Sequence, residues 1–199
     1  MRMVTNENLG IFCCYAREDQ PLLLRLRAHL TFLERRGSLH IWHDMDISPG
    51  TEWKEEINKR LNTAHIILLL ISSDFMTSEY CTSHEMKRAM ERHEAGEARV
   101  IPILLRPSIW QEAPFAKLQV LPNNAKAVTE WRNRDKAWST IAQGIEQVVK
   151  ELRTSLSTTP SRQPPSTVNA TRLYSDWGEA PDVPIFFGRT KELVLSVLC

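Results

Sequence analysis

Two short polar runs, each set directly after an apolar stretch, hold most of the side chains that could do chemistry in this chain. They are Tyr15-Ala16-Arg17-Glu18-Asp19 and Ser72-Ser73-Asp74. The planar guanidinium of Arg17 suits bidentate binding of a phosphate, and it equally suits an ion pair with Asp19. Several other chemistries find no support. There is no GxSxG turn to present a serine nucleophile and no GxGxxG loop to cradle a dinucleotide cofactor, which disfavours hydride transfer. The six histidines show no metal-like spacing, so no metal site is expected and all six read as structural or surface residues. Of the four cysteines, Cys13 and Cys14 are adjacent in an apolar run, where strand geometry sends them to opposite faces. With no CxxC pair among them, the cysteines read as reduced thiols filling the core.

The elements that must position these runs can be read from hydrophobic periodicity. Residues 11–15, 39–42, 66–71 and 100–105 are short apolar runs that predict strands, and 126–129 predicts a short edge strand. The all-aliphatic run Ile66 to Ile71 is the pattern of a central parallel strand buried on both faces. Between the strands, residues 21–36, 51–64 and 78–93 read as helices, and 136–152 as a closing amphipathic helix through Trp138, Ile141, Ile145, Val148 and Leu152. Pro21 and Gly37 punctuate the first helix. Strands alternating with helices imply a parallel sheet covered on both faces. Five strands in this order predict an α/β fold with flavodoxin-like winding, order 2-1-3-4-5. Ligands then bind beyond the carboxyl ends of the strands where the order reverses, which is at the loops after strands one and three. These are the two polar runs singled out above.

Net charge is +1, which gives no electrostatic reason to expect nucleic acid as a partner. No apolar run approaches the roughly 20 residues of a membrane span, and residues 1–10 lack the apolar region of a signal peptide. A cytoplasmic protein is expected, with no membrane partner. Composition divides the chain into a domain over residues 1–153, a Pro/Ser/Thr-rich linker over 154–184, and a short apolar segment over 185–199.

Three stretches, taken in order and spacing, resemble Toll/interleukin-1 receptor (TIR) domains of the bacterial type. IFCCYAREDQ, from Ile11, resembles the first TIR box. WHDMDISPGTEW, from Trp42, resembles the second box with its BB loop. LLLISSDFMTSEYCTSHEMKRAM, from Leu68, resembles the third strand and the helix bearing the family's catalytic glutamate. RVIPILLRPSIWQEAPFAKLQVLP, from Arg99, also resembles bacterial members. IFFGRTKEL, from Ile185, resembles the start of a STAND-type, NB-ARC-like nucleotide-binding domain, although the GxxxxGK[ST] loop is absent.

The resemblance implies an NAD+ glycohydrolase or ADP-ribose cyclase of bacterial anti-phage immunity, active when self-associated, with NAD+ as substrate and no cofactor. Glu85 matches the catalytic carboxylate; on helix position alone it reads as a solvated residue pairing with Arg88. Tyr15, Ala16 and Arg17 would line the substrate pocket. Ser72 would contact ribose, or cap the following helix. Asp46, like Asp44, lies in the BB-loop region, where an acid contacts ligand or a neighbouring copy, or simply suits a turn. Trp53 would stack on a ring of the substrate, or pack in the core with Ile57 and Leu61. Some family members carry an aromatic four residues before the glutamate; here that position is Cys81, beside Tyr80. Self-association is expected through the BB loop, residues 44–53. The alternative is a non-catalytic adaptor that only binds other TIR domains. A two-component receiver shares the winding but needs an aspartate at the tip of strand three, where Ser72-Ser73-Asp74 stands instead.

Overall fold

The computed structural model of the chain describes residues 8–43, 50, 52–78 and 84–158, all within the compact unit Met1–Thr159. Four parallel strands, β1 (Leu9–Cys14), β2 (Leu39–Trp42), β3 (Ile66–Ile71) and β4 (Arg99–Leu104), form one sheet in the order β2-β1-β3-β4. Among the described residues, five α-helices follow in chain order: α1 (Gln20–Arg35), α2 (Trp53–Thr63), α3 (Ser73–Thr77), α4 (His84–Glu94) and α5 (Arg134–Thr158).

The two-residue period of the strands divides the core in two. Leu9, Ile11 and Cys13 of β1, Ile66, Leu68 and Leu70 of β3, and Ile101 and Ile103 of β4 pack on α1 and α5. The alternate residues Phe12, Cys14, Ile67, Leu69 and Ile71 face Leu61 of α2, Phe75 of α3 and Met86, Ala89 and Met90 of α4. Every residue of β3 is buried, as a central parallel strand requires. Helix α1 presents Leu23, Leu26, Leu30 and Leu33 to the core, and α5 presents Trp138, Ile141, Ile145 and Val149. Cys13 and Cys14 are buried and form no disulfide.

Three expectations need correction. The sheet has four strands among the described residues, not five. Residues 126–129 form no edge strand; Val128–Glu130 is a 3-10 turn. The chain instead touches β4 upstream, at a single bridge between Ile103 and Leu121. There Leu121 donates to the Pro102 carbonyl (2.9 Å) and accepts from Leu104 (2.8 Å). The donor of Leu104 points to the outer edge, so position 102, two residues back, would supply the next one. Proline has none, so on that side pairing stops at one bridge. Of the helix expected over 78–93, α4 takes up His84 onward and Ser78 is not helical, while residues 79–83 lie outside the described residues; the short α3, directly after β3 under a Ser72 cap, was not expected. Last, α5 continues to Thr158, past the composition change at Thr154. The segment 185–199 lies outside the described residues.

The turn after α1 shows how local geometry closes these elements. Gly37 has φ 63°, in the left-handed region, with its N–H on the Glu34 carbonyl (2.8 Å) and the Ser38 N–H on Leu33 (3.1 Å). Gly37→Ala should cost about 1 kcal/mol, since a Cβ disfavours this conformation by that amount. At this chain size the melting temperature should fall by roughly 2–4 °C; an unchanged melting curve would contradict the assignment.

Candidate functional site

At β1 the sheet order reverses: α1 carries the chain to β2 on one side, while β3 pairs on the other. The crevice left between these crossovers at the carboxyl edge holds a cavity of about 390 Å³, within the size range of small-molecule sites. One wall is the end of β1 and the turn after it, Cys14 through Glu18. Ile57 of α2 forms a second side, and Asp74, Thr77 and Ser78 form a third.

The β1 wall follows from the sequence. Strand pairing ends at Cys14, Ala16 is extended, and the Asp19 N–H closes a 3-10 turn on the Ala16 carbonyl (2.8 Å). Ala16 is buried while Arg17 and Glu18 are exposed. The turn therefore sends Asp19 inward. Asp19 is fully buried and accepts from Arg106 Nε at Oδ1 (2.8 Å) and from the Ser72 hydroxyl at Oδ2. The same Ser72 oxygen accepts the Phe75 N–H (3.1 Å) and so caps α3. Arg106 also bonds Asp74 Oδ2, while its own N–H reaches the Ile71 carbonyl (3.3 Å). Burial works against the charge of Arg106, but the hydrogen bond to Asp74 and the neighbouring charge of Asp19 outweigh it and raise its pKa above the usual guanidinium value. One guanidinium thus ties together the loops after β1, β3 and β4.

Of the residues singled out from sequence, Tyr15, Ala16 and Arg17 come together on the cavity wall. Arg17 does not take Asp19, whose two oxygens belong to Arg106 and Ser72. Ser72 is fully buried behind the α3 wall. Its geometry is that of the capping reading, and its hydroxyl is not part of the cavity lining. Glu85 lies in the first turn of α4, half-buried, and is not among the described residues that line the cavity. Its expected alternative partner is directed elsewhere: Arg88 Nε donates to Asn62 (2.8 Å), and its guanidinium lies 3.7 and 3.8 Å from Glu91 and Glu97. The backbone of Trp53 opens α2. Asp44, Asp46, Tyr80 and Cys81 lie outside the described residues. Among those described, no cluster suits a metal ion and no helix is long and apolar enough to cross a membrane.

Sequence reasoning placed Asp74 at the switch point without giving it a role, and missed Arg106. The signal for Arg106 was present: a lone cation directly after the apolar run Val100 to Leu105, at the same sheet edge as the two polar loops.

Comparison with known proteins finds relatives of this chain. The model of the TIR domain family matches residues 11–143. An uncharacterised protein of Sinorhizobium fredii is 40% identical over 153 residues, which cover 77% of this chain and 47% of that protein. The chain thus spans about half the length of this curated relative. Similar solved structures include the TIR domain of the Toll-related receptor TRR-2 from Hydra magnipapillata, 20% identical with a TM-score of 0.47, over 70% of this chain and 97% of that one. The TIR domain heterodimer of RPS4 and RRS1 gives 12% identity and a TM-score of 0.48, over 72% and 99%. The TIR domains of the activated Roq1 resistosome give 15% and 0.40, over 73% and 99%.

Proposed function

Since the chain belongs to the TIR domain family, we propose that it cleaves NAD+ at the nicotinamide–ribose bond, with the β1-end cavity as its nucleotide site and Glu85 as its catalytic carboxylate. The observation that carries this reading is the cavity itself. It stands at the reversal of strand order, and its wall is Tyr15-Ala16-Arg17, with a cation exposed beside an apolar floor. That combination suits a ligand with both ring and phosphate parts.

The chemistry asks little of the protein beyond charge placement. Nicotinamide leaves with the bonding pair and becomes neutral, so no strong acid is needed. The ribose C1′ takes on oxocarbenium character, which a carboxylate stabilises. Water then adds at C1′ and gives its proton to that carboxylate, yielding ADP-ribose; attack by an atom of the same nucleotide gives a cyclic product instead. Segment 79–83 joins Ser78 of the cavity wall to Glu85 on α4. The proposed active state is an assembly in which the BB loop of a neighbouring copy, residues 44–53, completes the pocket. In this reading the segment 185–199 begins a STAND-type module that senses a trigger and drives clustering, in bacterial defence against phage.

The test is a calorimetric titration of the chain with NAD+ beside Arg17→Ala. A charged hydrogen bond contributes roughly 1.5–3 kcal/mol, so the variant should bind NAD+ on the order of 10-fold more weakly or worse. Its melting temperature should not move, because Arg17 is exposed. Equal affinity of the two proteins would remove Arg17 from the site. No binding by either would favour the adaptor, which needs no nucleotide.

A further inference from the structure

The cavity's walls differ in hydrogen-bonding character in a way that orients the ligand. Each hydroxyl has one proton to give. Thr77 directs its hydroxyl at the carbonyls of Ser73 (3.2 Å) and Asp74 (3.1 Å). Ser78 gives its proton to the Phe75 carbonyl (2.6 Å). Both therefore offer the cavity only lone pairs. Asp74 is a carboxylate and only accepts; Arg106 engages its Oδ2, and no described residue engages Oδ1. The α3 wall is thus composed of acceptors, while the β1 wall carries the donors of Arg17 beside the Glu18 carboxylate. A phosphate is repelled by the first and attracted by Arg17 on the second. A pair of sugar hydroxyls suits the first.

We propose that the α3 wall reads the sugar: Asp74 accepts hydrogen bonds from a vicinal ribose diol, aided by Thr77 and Ser78, and Arg106 is the residue that positions Asp74. This rests on the nucleotide reading of the cavity. The arrangement is set before any ligand arrives. Arg106 is anchored by its N–H to β3 and by Nε to the buried Asp19. The Asp74 carboxylate therefore loses little freedom on binding, which favours affinity for the diol.

The experiment measures the affinity of the full chain for NAD+ and for two analogues, each lacking the 2′- and 3′-hydroxyls of one ribose. The wild type should bind one analogue at least 10-fold more weakly than NAD+. Asp74→Ala should bring NAD+ down to that analogue's level and leave the analogue unchanged, with no large shift in melting temperature, since the side chain is 39% exposed. Arg106→Lys keeps a cation beside Asp19 but lacks the fork that serves two carboxylates. It should lower the preference for the diol without weakening the analogue, which loss of fold alone would not do. If Asp74→Ala weakens all three nucleotides alike, or none, the proposal is overturned. A diol preference dependent on Asp74 without nicotinamide release would uphold this inference and sink the hydrolase. Release without that preference would do the reverse. No binding of any of the three would overturn both.

Discussion

Glu85→Gln is expected to lower nicotinamide release by roughly 10²–10³-fold, the usual loss when one preorganised electrostatic group is removed from a transition state. NAD+ affinity should change little. The substitution keeps size and polarity and removes only the negative charge, and that charge matters most when the ribose becomes cationic. A loss confined to kcat, with KM nearly constant, is the signature of an interaction made in the transition state. Structure gives no reason to expect a folding defect. Glu85 is half-buried in the first turn of α4, and the core contacts of that helix are made by Met86, Ala89 and Met90. The purely structural alternative, a pair with Arg88, is weakened because Arg88 bonds Asn62 and lies beside Glu91 and Glu97. A variant with wild-type turnover would remove Glu85 from the chemistry.

The largest expected effect on stability is at Arg106. Arg106→Met strands the fully buried Asp19 with a single neutral donor, the Ser72 hydroxyl. Breaking a buried ion pair from one side costs about 3–5 kcal/mol, because the remaining charge is uncompensated. The urea midpoint should fall accordingly with the slope unchanged. Pairing the change with Asp19→Asn should recover much of the loss, since removing both charges is far less costly than removing one. A single-variant loss under 1 kcal/mol, or no recovery in the double variant, would show that the three loops are not held by this guanidinium. The partial exposure of Arg106 sets the other bound: its contact with Asp74 at the cavity's rim is screened by water and contributes little to the fold. Its role there is placement of a carboxylate.

The parts of this fold that were legible are those governed by period and position. The aliphatic run Ile66 to Ile71 dictated a central strand, and α1 turns Leu23, Leu26, Leu30 and Leu33 inward at helical spacing. Parallel winding put the loops after β1 and β3 at one edge, so Tyr15, Ala16 and Arg17 could be assigned to a pocket wall from order alone. What was not legible depends on contacts between distant residues. Nothing local distinguishes an Asp19 that turns inward from one that pairs with Arg17; that is decided by Arg106, far along the chain. Ser72 carried two readings, and its hydroxyl oxygen caps α3 through the Phe75 N–H. Pairing beyond β4 stops at one bridge for want of the backbone donor that Pro102 lacks. The short α3 was missed because a Ser72 cap starts it within a polar run that has too few apolar residues to show a helical period.

The central claim is tested most directly by following nicotinamide release from NAD+ as the concentration of the purified chain is raised, with Glu85→Ala beside it. We predict release that climbs more steeply than linearly with protein, as assembly completes the site, and none from the variant. Release at the same rate from both proteins would contradict the role of Glu85. No release from the wild type, even when a fused oligomeriser forces its copies together, would contradict the enzyme and leave a TIR domain that signals by binding alone.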